Sequence, residues 1–120
     1  MSRVTIELPS QFPFATELEV RITDINYGNH LGNDALLGLL HEARIRFLAT
    51  LGFSELDCGG CGMIMCDAAI TYLAQARRGQ TLVCEIAVQA PTRIGCDIVY
   101  RVRDKASNVE VARAKTGIVF

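Results

Sequence analysis

Alternation with a period of two dominates the chain beyond residue 62. Leu82, Cys84, Ile86 and Val88 share one side of an extended run, while Val83, Glu85, Ala87 and Gln89 share the other. A pleated strand places its side chains this way. In the next run Ile94, Cys96, Ile98, Tyr100 and Val102 alternate with Gly95, Asp97, Val99, Arg101 and Arg103, a strand with one wetter face. Residues 62–75 are apolar on both faces, which predicts a central strand buried from two sides, and residues 109–120 supply a closing strand. Earlier, residues 17–24 put Leu18, Val20 and Ile22 on one face and Glu19, Arg21 and Thr23 on the other. Turn signals at Arg77-Arg78-Gly79-Gln80, Pro91-Thr92-Arg93 and Lys105-Ala106-Ser107-Asn108 make the later links short. The last four strands are therefore expected to pair consecutively, as an antiparallel meander.

Between the first strand and the rest, the period changes to that of a helix, from about Asn33 to Leu51. Leu36, Leu40, Ala43, Phe47 and Leu51 form its apolar stripe, with Asn33 or Asp34 available as N-cap and Gly52 just past the end. His41 lies on one flank of the stripe, and Glu42 and Gly38 lie round the far side. The order strand, long helix, four strands describes one α+β domain over residues 1–120, in which five antiparallel strands curl around one helix. Val83, Val99, Met63 and Met65 also make the sheet's other face apolar, so a second subunit is expected to cover what the helix cannot.

Charge narrows the partners. Lys and Arg nearly balance Asp and Glu, for a net charge of −1, which removes the electrostatic footprint of a nucleic-acid binder. No apolar run approaches the roughly 18 residues a membrane span needs, and the first residues lack the apolar core of a signal peptide. A cytoplasmic protein is expected, and the odd number of cysteines, five, suits a reducing compartment. Cys66, Cys84 and Cys96 fall in strand-like runs as small apolar residues. Cys58-Gly59-Gly60-Cys61 offers only two thiolates, whereas structural zinc takes about four ligands, so free thiols without metal are expected.

The densest polar stretch is Thr23-Asp24-Ile25-Asn26-Tyr27-Gly28-Asn29-His30-Leu31-Gly32-Asn33-Asp34, between the first strand and the helix. It brings carboxamide and imidazole groups to a helix N-terminus, where unpaired N–H groups favour developing negative charge. Without chemistry, the same composition makes an Asx-rich turn and cap. The segment Arg21 to Asn33 resembles the Arg-x-x-Asp-x-Asp-x-x-Gly-His-Val-Asn-Asn stretch of the hotdog-fold acyl-CoA thioesterases, especially the branch with 4-hydroxybenzoyl-CoA thioesterase. Glu42-Ala43-Arg44 is similar to a Glu-Ala-Arg on that family's helix.

The resemblance implies a hotdog fold, hydrolysis of an acyl- or aroyl-coenzyme A without a cofactor, and a homodimer or homotetramer with sites between subunits. It places Asn26 where the family carries its catalytic Asp, and an amide is neither base nor nucleophile. In other hotdog thioesterases an Asn or Gln there holds the carbonyl or a water, and a helix carboxylate fifteen residues on attacks or activates water. Here that spacing lands on His41, with Glu42 next. Asn33 falls on a helix-start position whose backbone N–H polarises the thioester carbonyl, and His30 matches the motif histidine that can orient water. Arg77, Arg78 and Arg93 are implied contacts for coenzyme A phosphates. Among the acidic groups near the loop, Asp24 and Asp34 have structural duties, so Glu42 is expected as the carboxylate, ahead of His41. A non-catalytic acyl-thioester binder is the competing reading, which the amide at position 26 keeps open. A hotdog dehydratase needs a different His and carboxylate pattern.

Overall fold

A computed structural model describes residues 3–120. Strand β1 (Phe14–Glu19) leads through a short 3-10 turn (Ile22–Asp24) to helix α1 (Asn33–Thr50). Strands β2 (Ile64–Tyr72), β3 (Thr81–Gln89), β4 (Gly95–Asp104) and β5 (Glu110–Val119) follow. They form one five-stranded sheet in the order β1-β3-β4-β5-β2, with every neighbouring pair antiparallel. The expected α+β architecture, with the sheet curled around the helix, is the one observed.

The periodicity located α1 to within a residue at each end but misassigned its N-cap and part of its stripe. Gly32 is the N-cap, not Asn33 or Asp34, and among the described residues no side chain makes a cap hydrogen bond there. At the other end Leu51 is 52% exposed, so the stripe turns to Leu36, Leu39, Leu40, Ala43, Phe47 and Leu48. Gly52 follows with φ +76°, a left-handed conformation a glycine adopts without strain. Leu36, Leu39, Leu40, Ala43 and Phe47 pack with Leu18, Leu82, Ile86, Ile98, Tyr100 and Val102 in the core. Phe47 meets Phe14 with ring centroids 5.5 Å apart.

The first strand begins and ends earlier than its alternation suggests. Asp24 accepts bonds from the Arg21 N–H (2.9 Å) and guanidinium (3.1 Å), which closes the 3-10 turn and leaves Ile22 62% exposed instead of inward. The larger correction concerns β2, which is an edge strand and not the buried central one. Leu73 and Ala74 N–H groups bond the Val111 carbonyl, and the chain then passes under the loop before α1, where Leu31 N–H reaches the Ala76 carbonyl (2.7 Å). It enters β3 on the far side of β4 and β5, so only β3-β4-β5 form the expected meander. Ile64, 66% exposed, and Met65 lie along the open edge near a register shift at Cys66, while Ile70 packs on the core. Cys66 is accordingly exposed, Cys96 half-buried and Cys84 buried.

The face of the sheet away from α1 is partly covered from within the chain. Thr71 Oγ1 donates to the Val4 carbonyl (2.9 Å) and Arg113 to that of Ile6 (3.4 Å), so the N-terminal segment crosses this face and buries Ile6. Val83 and Val99 are buried there, whereas Met63 turns to the core and Met65 stays exposed. Among the described residues no helix is long and apolar enough to cross a membrane.

Candidate active site

The polar loop before α1 is built by Asn26. Its Oδ1 accepts the N–H groups of Gly28 (2.9 Å) and His30 (3.2 Å), its own N–H donates to the His30 carbonyl (2.8 Å), and its carbonyl accepts from Asn29 (3.0 Å). Asn29 takes a left-handed φ of 64° to close this turn. The amide oxygen is thus committed to the loop, and the NH2 end has no partner among the described residues. Asp24, buried beneath, bonds Gly32 N–H through its carbonyl (2.8 Å) and so fixes where the helix starts. Burial pushes the Asp24 carboxyl up, but the bonds from Arg21 outweigh this and hold it below its ordinary range.

His30 pairs with Arg77 in an isolated antiparallel bridge, which brings the loop against the β2–β3 link. Arg77 and Arg78 are exposed beside the loop. Arg93 stands at the opposite end of β3, ~27 Å away along a strand of this length, so one protomer does not gather the three arginines. Tyr72 on β2, not anticipated from the sequence, donates from its hydroxyl to the Asn33 carbonyl (2.8 Å) and ties the helix start to the edge strand. Burial and the nearby Asp34 raise its phenol above the ordinary value.

His41 and Glu42 lie about two turns, or ~12 Å, further along α1, and they face different ways. Glu42 is ion-paired to Arg46 (2.8 Å) and lines a cleft of about 390 Å³ with Glu17, Leu18, Arg21 and Gly38, on the β1 side. His41 instead places Nε2 at 2.7 Å from Glu55 Oε1, in the loop after α1. The second Glu55 oxygen accepts from Arg44 Nε (3.1 Å), and Arg44 Nη1 donates to the Tyr100 hydroxyl (3.1 Å). Tyr100 in turn shares a 2.8 Å bond with Thr116. A polar chain of five residues therefore runs from the surface at His41 through the core to β4 and β5. Burial pushes Glu55 up, but the bonds from His41 and Arg44 hold its carboxyl below the usual range.

The cysteine loop is a tight hairpin. Cys58 N–H bonds the Cys61 carbonyl (2.7 Å) around Gly59 and Gly60, both at positive φ. Burial raises the Cys58 thiol, and it pushes Cys84 up to about 12, so neither is an activated nucleophile. No group of three or more potential metal ligands is found among the described residues.

Comparison with known proteins agrees with this architecture. The chain superimposes on a 1,4-dihydroxy-2-naphthoyl-CoA thioesterase from Synechocystis with a TM-score of 0.81 at 22% identity, covering 88% of this chain and 80% of that one. A thioesterase-superfamily protein from Jannaschia gives 0.82 at 16% identity, with 92% and 70% covered. A variant of 4-hydroxybenzoyl-CoA thioesterase, complexed with 4-hydroxybenzoyl-CoA, gives 0.79 at 15% identity, with 89% and 82% covered. No curated protein matches in sequence. The fold is therefore the hotdog fold of thioesterases. More specifically, residues 20–120 match the model of the thioesterase-like superfamily, and the chain belongs to that family.

Proposed function

We propose that the protein hydrolyses an acyl- or aroyl-coenzyme A thioester to a carboxylate and free coenzyme A. The observation that carries this reading is the N-terminus of α1, without a side-chain cap, preceded by a loop in which the Asn26 amide NH2 has no partner among the described residues, in a chain of the thioesterase-like superfamily. The Asn33 N–H and the Asn26 amide hold the thioester carbonyl oxygen, where negative charge develops as water adds to the carbon. Asn26 positions and does not react. His30 orients water at the same loop, and Arg77 and Arg78 meet the phosphates of the coenzyme, with Arg93 contributing from another subunit.

For the base, the geometry favours His41 over Glu42. Glu42 is engaged with Arg46 on the β1 side, whereas His41 keeps one ring nitrogen without a partner among the described residues and stands at the spacing from Asn26 that the resemblance implies. His41 takes a proton from water as its oxygen bonds to the carbonyl carbon; the C–S bond then breaks, and the proton passes to the departing thiolate. Because loop and helix residues lie ~12 Å apart along one protomer, the complete site joins the loop of one subunit to the helix of another. This reading goes with a homodimer or homotetramer, and we propose the cytoplasm as the place where it works.

The competing reading, a binder of acyl thioesters without turnover, draws on the amide at position 26. Mass spectrometry after incubation with a mixed acyl-CoA panel decides between them. The hydrolase releases free coenzyme A from at least one member, and His41→Gln lowers that turnover by about a hundredfold or more while Glu42→Gln does not. Bound but intact thioesters throughout would establish the binder.

A further inference from the structure

We propose that Glu55 is a positioning residue that fixes the tautomer of His41, setting the hydrogen on Nε2 and leaving the lone pair of Nδ1 as the basic site. This inference deepens the reading of His41 as the base and rests on it.

A chain of forced choices leads to it. An arginine carries only donors, so Arg44 must take an acceptor from each neighbour. It takes the Tyr100 hydroxyl oxygen on one side and Glu55 Oε2 on the other, at 3.1 Å each. Arg44 is itself buried and cannot swing to water instead. Tyr100, fully buried, is held in turn by Thr116 at 2.8 Å. Glu55 therefore has one oxygen left, Oε1, which faces His41 Nε2 at 2.7 Å. An ionised carboxylate only accepts, so Nε2 must carry the hydrogen, and in the neutral ring Nδ1 then holds the lone pair. The His41 side chain is 51% exposed, which leaves the ring open to a reacting water.

The carboxylate is held firmly enough to impose this choice. Ser54 and Asp57 exchange backbone bonds (3.0 and 3.2 Å), Met63 N–H bonds the Glu55 carbonyl (2.7 Å), and Gly60 N–H bonds Asp57 Oδ1 (2.8 Å). Glu55 thus projects from a folded loop, a geometry suited to supporting a reacting group. The arrangement follows the general logic of a base oriented by a third group.

Glu55→Gln separates this role from simple packing. The amide has one acceptor oxygen, and the buried Arg44 claims it, so the NH2 end turns to His41. Nε2 must then accept, the hydrogen moves to Nδ1, and the lone pair leaves the side facing the reaction. Nitrogen-15 NMR of the imidazole reads this directly, without reference to activity. The expected result is an Nε2–H ring in the wild-type protein and an Nδ1–H ring in Glu55→Gln. The best acyl-CoA substrate should show kcat down about a hundredfold and KM little changed. In a His41→Gln background, Glu55→Gln should cost nothing further. Glu55→Asp, which keeps both acceptor oxygens, should retain the Nε2–H ring and serves if Glu55→Gln does not fold. An unchanged tautomer in Glu55→Gln, an Nδ1–H ring in Glu55→Asp, or an equal loss in the His41→Gln background would overturn the proposal. Wild-type turnover by His41→Gln alone would instead overturn the base assignment, with the tautomer measured independently.

Discussion

Arg44 shows how a single residue organises the interior. A guanidinium buried on the helix face that carries Leu40, Ala43 and Phe47 is tolerable only because two acceptors are waiting for it, the Tyr100 hydroxyl and the Glu55 carboxylate. Its spacing from Leu40 and Phe47 puts it on the buried stripe, the one signal available in the sequence, against which its charge argues. Glu55 carried no signal, since it sits in an aperiodic loop whose closure depends on tertiary contacts. The stretch that holds Asn26, His30 and Asn33 stands out in the sequence because its polar composition is dense and local. Tyr100→Phe is expected to destabilise the protein by about 1–3 kcal/mol, since it strips a buried bond from both Arg44 and Thr116. Chemical denaturation checks this, and an unchanged midpoint would show that the interior polar chain contributes nothing.

At the scale of elements, alternation identified strands and the helical period identified α1, because both follow from local backbone geometry. Neighbour order does not. Residues 62–75 are apolar on both faces, as in a buried central strand, yet β2 lies at an edge where Ile64 and Met65 are open. The path of the β2–β3 link under the loop before α1 decides this, through the bond from Leu31 to Ala76. The first strand was misjudged for a different reason, since the Asp24 carboxylate captures Arg21 and converts an apparent strand end into a 3-10 turn. Burial acting alone would raise that carboxyl, and the Arg21 bonds reverse it, so the folded value lies below the unfolded one of about 3.9. The stabilisation is then fully present above that unfolded value and is lost as pH falls through the folded one. The melting temperature should decline below about pH 4, and Asp24→Asn should flatten the decline. A decline of the same slope in the variant would exclude Asp24 as its source.

For the whole molecule, the proposed site needs the loop of Asn26 and His41, which lies about 12 Å further along α1 than the helix start, to act on one thioester, and the open β2 edge carries exposed apolar side chains. An oligomer satisfies both requirements. Light scattering at micromolar concentration should give at least a dimer, and a clean monomer would remove the shared site. Whether the loop and the N-terminus of α1 form a thioesterase site is tested most directly by the rate of coenzyme A thiol release by the wild-type protein beside Asn26→Ala. Measurable release by the wild type, reduced about a hundredfold or more in the variant, is the expected result. Equal rates in the two proteins would contradict it.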